Sequence, residues 1–234
     1  MGLDMPLREA MESQRAIRRL KPDPVDDEVI LRCIDMAVKA PTGGNAQNWA
    51  WIVVRDHRVK ARFARLYRQS WRIYGGLGRI RVRGNAKMMR IIDAVQWQVD
   101  HFEDVPVLVV PCLRGALPRV LSLTPVGASS HFGSIYPAIQ NFLLACRAEG
   151  LGAAVTTLPV WSTVLARRAL GLPWNVQPCA VIPVGWPRGR YGPTSRKPAE
   201  KVVHYDRWGN RKTARRGAPR RSRSSAALPG SSSY

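Results

Sequence analysis

The sequence predicts a mixed protein of the α/β or α+β class, and three observations support this prediction. Segments with apolar residues at helical spacing alternate irregularly with short apolar, β-branched segments that are typical of buried strands. At 234 residues, the chain can bury a substantial core without disulfide or metal staples. Hydrophobic residues make up 45% and charged residues 23% of the chain, which excludes a collagen, a coiled coil and a wholly disordered protein.

The first half of the chain is predicted to be mainly helical. Pro22 and Pro24 end the first helix, Asp26 or Asp27 caps the second, and Pro41 ends it. A glycine-rich loop then leads into a short aromatic and β-branched strand. Helices are predicted at 7–20, 27–40, 59–74 and 86–101, the strand at 49–54, and a mobile arginine-rich excursion at 78–84.

The second half of the chain alternates strands and helices. Ser162 is expected to cap the last helix, and Gly171 follows its end. Residues after about 209 are rich in Ser, Arg, Ala, Pro and Gly, which predicts a basic disordered tail at 210–234 after a body at 1–209. Strands are predicted at 105–112, 153–158 and 180–184, helices at 134–150 and 162–170, and a loop at 114–127.

The chain is strongly basic, with 37 lysines and arginines against 16 acidic residues and a formal net charge of +21. Seven of the basic residues lie from Arg211 onward, and the body is basic as well. Such a field attracts polyanions, so a nucleic-acid-binding protein is a rival hypothesis, although we expect no specific nucleic-acid partner. No apolar run approaches the roughly 20 residues that span a bilayer, and the N-terminus lacks a signal-peptide layout. We therefore expect a cytoplasmic protein without a membrane partner.

The sequence lacks the motifs of several common nucleotide-binding, metal-binding and redox sites. There is no G-x-x-x-x-G-K-[ST] phosphate loop. The four histidines and the four cysteines lack the spacing of a zinc site, so no metal site is predicted. The cysteines form no C-x-x-C pair, which indicates free thiols in a reducing compartment.

Two segments are candidates for ligand binding. Arg15 and Arg18 are three residues apart, so on a helix they share a face and form a fork for a phosphate or a carboxylate. The alternative is a solvated basic face. Residues 40–49, APTGGNAQNW, combine glycines with Thr, Asn and Gln side chains and are suited to hold the polar edge of a heterocycle. The alternative is a plain connection between a helix and a strand.

Four blocks in order, spread over residues 10–208, resemble the nitroreductase family of FMN-dependent flavoproteins. The blocks are RAIRRLKPDPV at 15–25, APTGGNAQNW at 40–49, SIYPAIQNFLLACRAEGLG at 134–152, and PVGWP at 183–187 followed by RKP at 196–198. The resemblance implies an α+β fold in a three-layer α-β-α sandwich with a small mixed sheet. It also implies an intertwined homodimer with two shared active sites.

The resemblance assigns roles to individual residues. It implies that Arg15, Ala16 and Arg18 hold the FMN phosphate and the polar edge of the ring, and that Arg196 closes on the phosphate. It implies that Thr156 and Thr157 lie near flavin N5 and act in catalysis. It also implies that a loop with Pro41, Thr42, Gly43, Asn45 and Gln47, here called the cofactor loop, reaches the flavin across the dimer interface.

The sequence departs from the family pattern at three positions. Gln14 stands where many members have another arginine, Ala16 where many have serine, and Asn48 where a proline usually precedes the tryptophan. The first two departures put the strength of FMN binding in question. Residues 71–104 match a variable lid over the substrate, and Arg79, Arg81 and Arg83 in it suit an anionic substrate, the extra phosphate of NADPH, or solvent.

The implied activity is an FMN-dependent oxidoreductase that takes a hydride from NADPH or NADH and passes electrons to a small-molecule acceptor such as a nitroaromatic or a quinone. Turnover in this family is ping-pong. Two alternatives are a specialised flavin-fragmenting or dehalogenating relative and a non-catalytic flavin- or nucleic-acid-binding protein.

Overall fold

The computed structural model describes residues 3–115 and 125–211. The chain divides into two compact units, Met1–Thr194 and Ser195–Tyr234. Most of the loop predicted at 114–127 and almost all of the predicted tail at 210–234 lie outside the described residues. Within the described part, no helix is both long enough and apolar enough to cross a membrane.

The described residues of the first unit form six α-helices. Three of them begin at a side-chain cap, where Asp56, Asn85 and Ser162 accept hydrogen bonds from backbone N–H groups of the first turn. Gly171 ends the last helix with φ of 63°, so the predicted cap and stop of that helix are both confirmed. The helices are α1 Leu7–Ser13, α2 Asp27–Ala37, α3 His57–Arg81, α4 Ala86–Asp100, α5 Pro125–Ala148 and α6 Thr163–Leu170.

Five short strands within the described residues form one sheet in the order β1-β2-β5-β3, with β4 pairing on β2. All pairings between these strands are antiparallel, so the sheet of this chain is not the mixed sheet that the resemblance implied. The predicted strand at 49–54 is confirmed residue for residue. The strands are β1 Trp49–Val54, β2 Val107–Arg114, β3 Gly152–Ala153, β4 Val176–Pro178 and β5 Ile182–Gly185.

Strand β2 is the centre of the fold because it is buried on both faces. Val107 and Val109 point into a core formed with α2 and α5, whereas Leu108 and Val110 point into a second core formed with α3, α4 and α6. Alternate residues of a strand point to opposite faces of the sheet. The sheet therefore lies between two helical layers, and the expected α+β three-layer sandwich is confirmed.

A part-buried ion pair connects α2 with the end of α5. Arg32 of α2 donates to both carboxylate oxygens of Glu149, just after α5, at 2.9 and 3.2 Å. Glu149 is only 8% exposed, so its charge depends on this bidentate partner.

The structure corrects two predicted helix ends. Helix α1 ends at Ser13 instead of residue 20, because residues 14–20 run extended beside the sheet. In that segment the Ile17 N–H donates to the Ala153 carbonyl at 3.1 Å, and Leu20 forms a bridge with Pro187. Helix α3 continues through Gly75 and Gly76 to Arg81, so the predicted end at 74 and the mobile excursion at 78–84 are wrong.

Several strands and helices of the second half also differ from the sequence prediction. The predicted strand at 153–158 is reduced to β3 and a single bridge between Thr156 and Val181, followed by a 3-10 helix at Leu158–Val160. Strand β4 was not predicted. Helix α5 begins at Pro125, nine residues before the predicted start, and continues past Pro137.

Candidate active site

A large cavity of about 800 Å³ lies between α3, α4 and the segment after β3. This volume is in the range of small-molecule binding sites. Most of its wall is aromatic or aliphatic, with Trp71 and Tyr74 from α3 and Ile91 and Val95 from α4. Its polar lining consists of Arg18, Tyr67, Arg81, Gln98, Thr156 and Thr157. The cavity thus combines an apolar enclosure with a few polar groups.

Thr156 and Thr157 are held at this cavity by backbone hydrogen bonds. Thr156 exchanges two bonds with buried Val181, at 3.0 and 2.8 Å. The carbonyl of Thr157 accepts a bond from Val160 at 3.0 Å in the first turn of the 3-10 helix. The two hydroxyl groups predicted to be catalytic therefore lie together on a rigid backbone at the cavity wall.

Tyr67 of α3 connects Thr156 with Gln98 of α4. Its phenol is hydrogen-bonded with the Thr156 side chain and donates to Gln98 Oε1 at 3.4 Å. Burial raises the pKa of Tyr67, while the bond to Thr156 and the charge of Arg18 act in the opposite direction. Gln98 is 2% exposed, and its buried Nε2 has no hydrogen-bond partner within the described residues.

Arg18 lies at the junction of this cavity with a second cavity of about 550 Å³. Burial lowers the pKa of Arg18, although the nearby Tyr67 favours the charged form. Within the described residues, no carboxylate pairs with this half-buried guanidinium. A charged group without a partner at a cavity wall is a candidate for binding an anionic ligand.

The second cavity is lined mainly by arginine. Its described lining includes no acidic residue. Arg188 is fixed there, because its Nε donates to the Leu20 carbonyl at 3.0 Å and its guanidinium lies 5.5 Å from the Trp97 ring centroid. Several guanidiniums without carboxylates form a site for a phosphate group. The basic lining is Arg15, Arg18, Arg19, Arg188 and Arg190, with Ala16 among them.

Arg15, Ala16 and Arg18 therefore lie together, but not on a helix. The prediction that Arg15 and Arg18 share a helical face is wrong, because residues 14–20 are extended. Their proximity comes from an extended segment that packs beside β3. These are the residues that the sequence analysis selected, but a non-helical segment brings them together instead of one face of a helix.

The predicted cofactor loop does not line either cavity of this chain. Its backbone is left-handed at Gly44, Asn45 and Gln47, with φ of 58°, 52° and 46°. Gln47 holds the loop internally, because its N–H donates to Thr42 Oγ1 at 3.2 Å and its Nε2 donates to Asn45 Oδ1 at 3.1 Å. Gly43 N–H also donates to Ser134 Oγ of α5 at 3.3 Å. The expected contact of Pro41 and the rest of this loop with the flavin across a dimer interface stays a prediction.

Arg196 lies in the second compact unit, where its guanidinium donates to the Ser195 carbonyl at 3.0 Å. Its expected contact with the FMN phosphate stays a prediction. The three lid arginines differ in their surroundings. Arg79 pairs with Asp93 of α4 at 3.2 Å, Arg81 lines the large cavity, and Arg83 lies in the turn after α3.

Sequence reasoning missed Tyr67, Gln98, Arg188 and Arg190. The RGR run at 188–190 carried a signal for the last two, since it directly follows the PVGWP block. Tyr67 and Gln98 lie within ordinary helical patterns, which carry no such signal. All four cysteines are free and buried, as predicted.

Comparisons with known proteins agree on one family. The model described as the nitroreductase family matches residues 11–186. A putative NADH dehydrogenase/NAD(P)H nitroreductase from Methanothermobacter thermautotrophicus is 26% identical over 87% of this chain and 88% of its own length. An iodotyrosine deiodinase from Thermotoga neapolitana is 23% identical over 84% of this chain and 95% of its own length.

Solved structures show the same fold. An oxidized iodotyrosine deiodinase bound to FMN and 3-iodo-L-tyrosine matches with a TM-score of 0.68 at 22% identity, covering 87% of this chain and 100% of that one. A BluB-like flavoprotein from Clostridium difficile 630 matches with a TM-score of 0.65 at 22% identity, with the same coverage. At this identity the likeness concerns the fold.

Proposed function

Because the chain belongs to the nitroreductase family, we propose that it is an FMN-dependent oxidoreductase that passes electrons from NADPH or NADH to a small oxidised acceptor. A nitroaromatic or a quinone is the expected class of acceptor, in ping-pong turnover at one site. When bound, FMN supplies a ring that accepts a hydride and then releases electrons to a second substrate. The two cavities support this proposal.

The single observation that carries the proposal is the position of Arg18. This residue borders both the arginine-rich cavity and the apolar cavity that contains Thr156 and Thr157. A ligand that fits both has an anionic end and a planar body with a polar edge. FMN has this form, with a phosphate at one end and an isoalloxazine ring at the other.

The residues present fit the phosphate of FMN. Arg15 and Arg18 would hold it through charge-assisted hydrogen bonds, and Arg188 is fixed at the same cavity. The family serine is Ala16 here, so its hydroxyl contact is absent. The additional arginines Arg19 and Arg190 line the same cavity, and their positive charges compensate for the missing hydroxyl contact. Arg196 is expected to join this set.

The residues of the large cavity fit the polar edge of a flavin. The buried Nε2 of Gln98 lacks a partner within the described residues, and Arg18 is a second donor at the same wall. Thr156 and Thr157 would face the reacting edge, with Thr156 oriented by Tyr67. The described lining has no carboxylate, histidine or cysteine, so the contribution of the chain is mainly positioning and electrostatics.

A homodimer completes the proposal. The cofactor loop is folded on itself and lines neither cavity of its own chain, which supports a role at the site of a partner subunit. Exposed apolar side chains on the helices next to that loop also support a partner there. They include Leu31 and Met36 of α2 and Tyr136 of α5. A cytoplasmic location and the absence of a specific nucleic-acid partner are part of the same proposal.

Reductive dehalogenation is the second candidate, because several relatives bear the name iodotyrosine deiodinase. A halogenated amino acid carries an ammonium group, which calls for a carboxylate in the substrate cavity. No carboxylate belongs to the described lining of the large cavity. This observation favours an acceptor without an ammonium group, and halide release from 3-iodotyrosine tests the alternative.

The first experiment is the visible absorption spectrum of the purified protein after incubation with FMN, before and after NADPH is added without oxygen. We expect flavin bands that stay with the protein on gel filtration and bleach with NADPH. A colourless protein that retains no FMN would overturn the proposal. Flavin bands that do not bleach with NADPH or NADH would leave a flavin-binding protein without this reductase activity.

A further inference from the structure

Arg81 lies in the last turn of α3, and its side chain lines the large cavity. Within the described residues its guanidinium has no hydrogen-bond or ion-pair partner. The neighbouring Arg79 differs, because Asp93 of α4 pairs with it at 3.2 Å. Two arginines that are two positions apart thus differ in their surroundings. Arg79 joins the two lid helices, and Arg81 stays available to a ligand.

The wall around Arg81 is apolar. Tyr74 and Leu77 of α3 and Met88 and Ile91 of α4 line the same cavity. Side chains of this kind enclose an aromatic or aliphatic ligand. Three donors of its lining have no partner within the described residues, namely the guanidiniums of Arg18 and Arg81 and the buried Nε2 of Gln98. A ligand that satisfies this cavity presents acceptor atoms and no cation.

We propose that the electron acceptor is a planar aromatic compound with a carboxylate, which Arg81 binds while the apolar lid encloses the ring. This inference rests on the proposed function and deepens it by naming the substrate class. The carboxylate forms a charge-assisted hydrogen bond with the guanidinium, and the absence of acidic residues from the described lining avoids repulsion.

The alternative ligand for Arg81 is the extra phosphate of NADPH. A phosphate of nearly two negative charges is usually held by several donors together. The arginine-rich cavity offers such a set, whereas the lining next to Arg81 is apolar. The surroundings therefore favour a single carboxylate on an aromatic ring.

The test compares 4-nitrobenzoate with its neutral isostere 4-nitrobenzamide on the FMN-loaded protein, with dissociation constants measured by titration calorimetry at low ionic strength. We expect wild type to bind the benzoate about tenfold more tightly, the usual effect of one hydrogen bond to a charged group. Arg81→Gln should remove this preference and leave the affinity for the benzamide unchanged. Arg83→Gln is the matched control, because it removes the same charge from a side chain outside the cavity.

Three outcomes would overturn the inference. These are equal affinities of wild type for the two probes, a preference that survives Arg81→Gln, and an Arg81→Gln effect confined to the dissociation constant of NADPH. Failure of the proposed function looks different. A protein that retains no FMN, or whose flavin does not bleach with NADPH, fails before any probe is added and says nothing against charge selection at Arg81.

Discussion

Gly152 of β3 lies directly against Ile17, and a Cβ atom on residue 152 would fall 2.8 Å from Ile17 Cγ2. The same atom would lie 2.6 Å from Leu20 Cδ2. Next to this contact, the Ile17 N–H donates to the Ala153 carbonyl at 3.1 Å. The segment that carries Arg15 and Arg18 is therefore held against the sheet at a position where only glycine leaves enough room.

Substitution Gly152→Ala should displace that segment. We expect a loss of about 1–3 kcal/mol in the free energy of unfolding, which is typical of overpacking, because Ile17 and Leu20 must move. FMN affinity should fall as well, since Arg18 lies next to Ile17. Urea unfolding and flavin titration measure the two effects. Wild-type stability together with wild-type FMN affinity would show that the contact is not constraining.

Adjacent glycines in α3 offer a matched pair of substitutions. A Cβ on Gly75 would lie 2.5 Å from Trp71 Cε2, whereas a Cβ on Gly76 meets nothing within 4 Å. Gly76→Ala should stabilise the protein by up to about 1 kcal/mol, because alanine favours a helix. Gly75→Ala should destabilise it by about 1–3 kcal/mol. Thermal unfolding of the two variants measures the contrast, and equal shifts would contradict this packing of α3.

The arginine-rich cavity predicts specific losses of FMN affinity. Arg15→Gln and Arg18→Gln should each raise the FMN dissociation constant by about 10- to 100-fold, the usual effect of removing a hydrogen bond to a charged group. Arg8→Gln is the control, because exposed Arg8 pairs only with Glu12 on α1. Quenching of FMN fluorescence gives the dissociation constants. Unchanged values for both cavity variants would place the phosphate elsewhere.

The buried thiols predict a loss of stability at high pH. Burial raises the pKa of Cys112 and of Cys179 from 9.0 to about 12. The folded protein therefore keeps two protons that the unfolded chain releases above pH 9. This contribution is complete below pH 9 and declines as the pH rises toward 12.

Urea unfolding at pH 8 and at pH 10.5 measures this effect. We expect a lower free energy of unfolding at pH 10.5, and a smaller difference in the variant Cys112→Ala/Cys179→Ala than in wild type. The double variant will be less stable at both pH values because it loses buried volume, so only the difference is informative. Equal differences in the two proteins would assign the pH dependence to other groups.

Local signals explain which elements the sequence predicts well. Strand β1 and helix α6 match their predictions because the deciding residues lie within them: a short aromatic and β-branched run in β1, and the Ser162 cap and Gly171 stop of α6. Helix α3 does not stop at Gly75 because that glycine fits against Trp71, one turn earlier. A glycine pair alone does not distinguish a stop signal from a position of close packing.

The candidate site also contains residues that the sequence analysis identified and residues that it missed. Arg15, Arg18, Thr156 and Thr157 stand out in the sequence because they lie in recognisable blocks. Their proximity in the structure depends on contacts between distant parts of the chain. Examples are the hydrogen bond from Ile17 to Ala153 and the β-bridge between Thr156 and Val181. Tyr67 and Gln98 join the site through α3 and α4 packing, which no local pattern encodes.

The cofactor loop at 41–47 holds its shape with its own atoms. Of its left-handed residues, Gln47 adopts the backbone conformation least usual for its residue type, and Gln47 binds both Thr42 and Asn45 within the loop. A surface that is already ordered loses little conformational entropy when a second molecule covers it, and each side chain fixed in advance avoids a loss of about 0.5–1.5 kcal/mol. The proposed association with a second subunit at this loop would therefore lose less conformational entropy than association at a disordered loop.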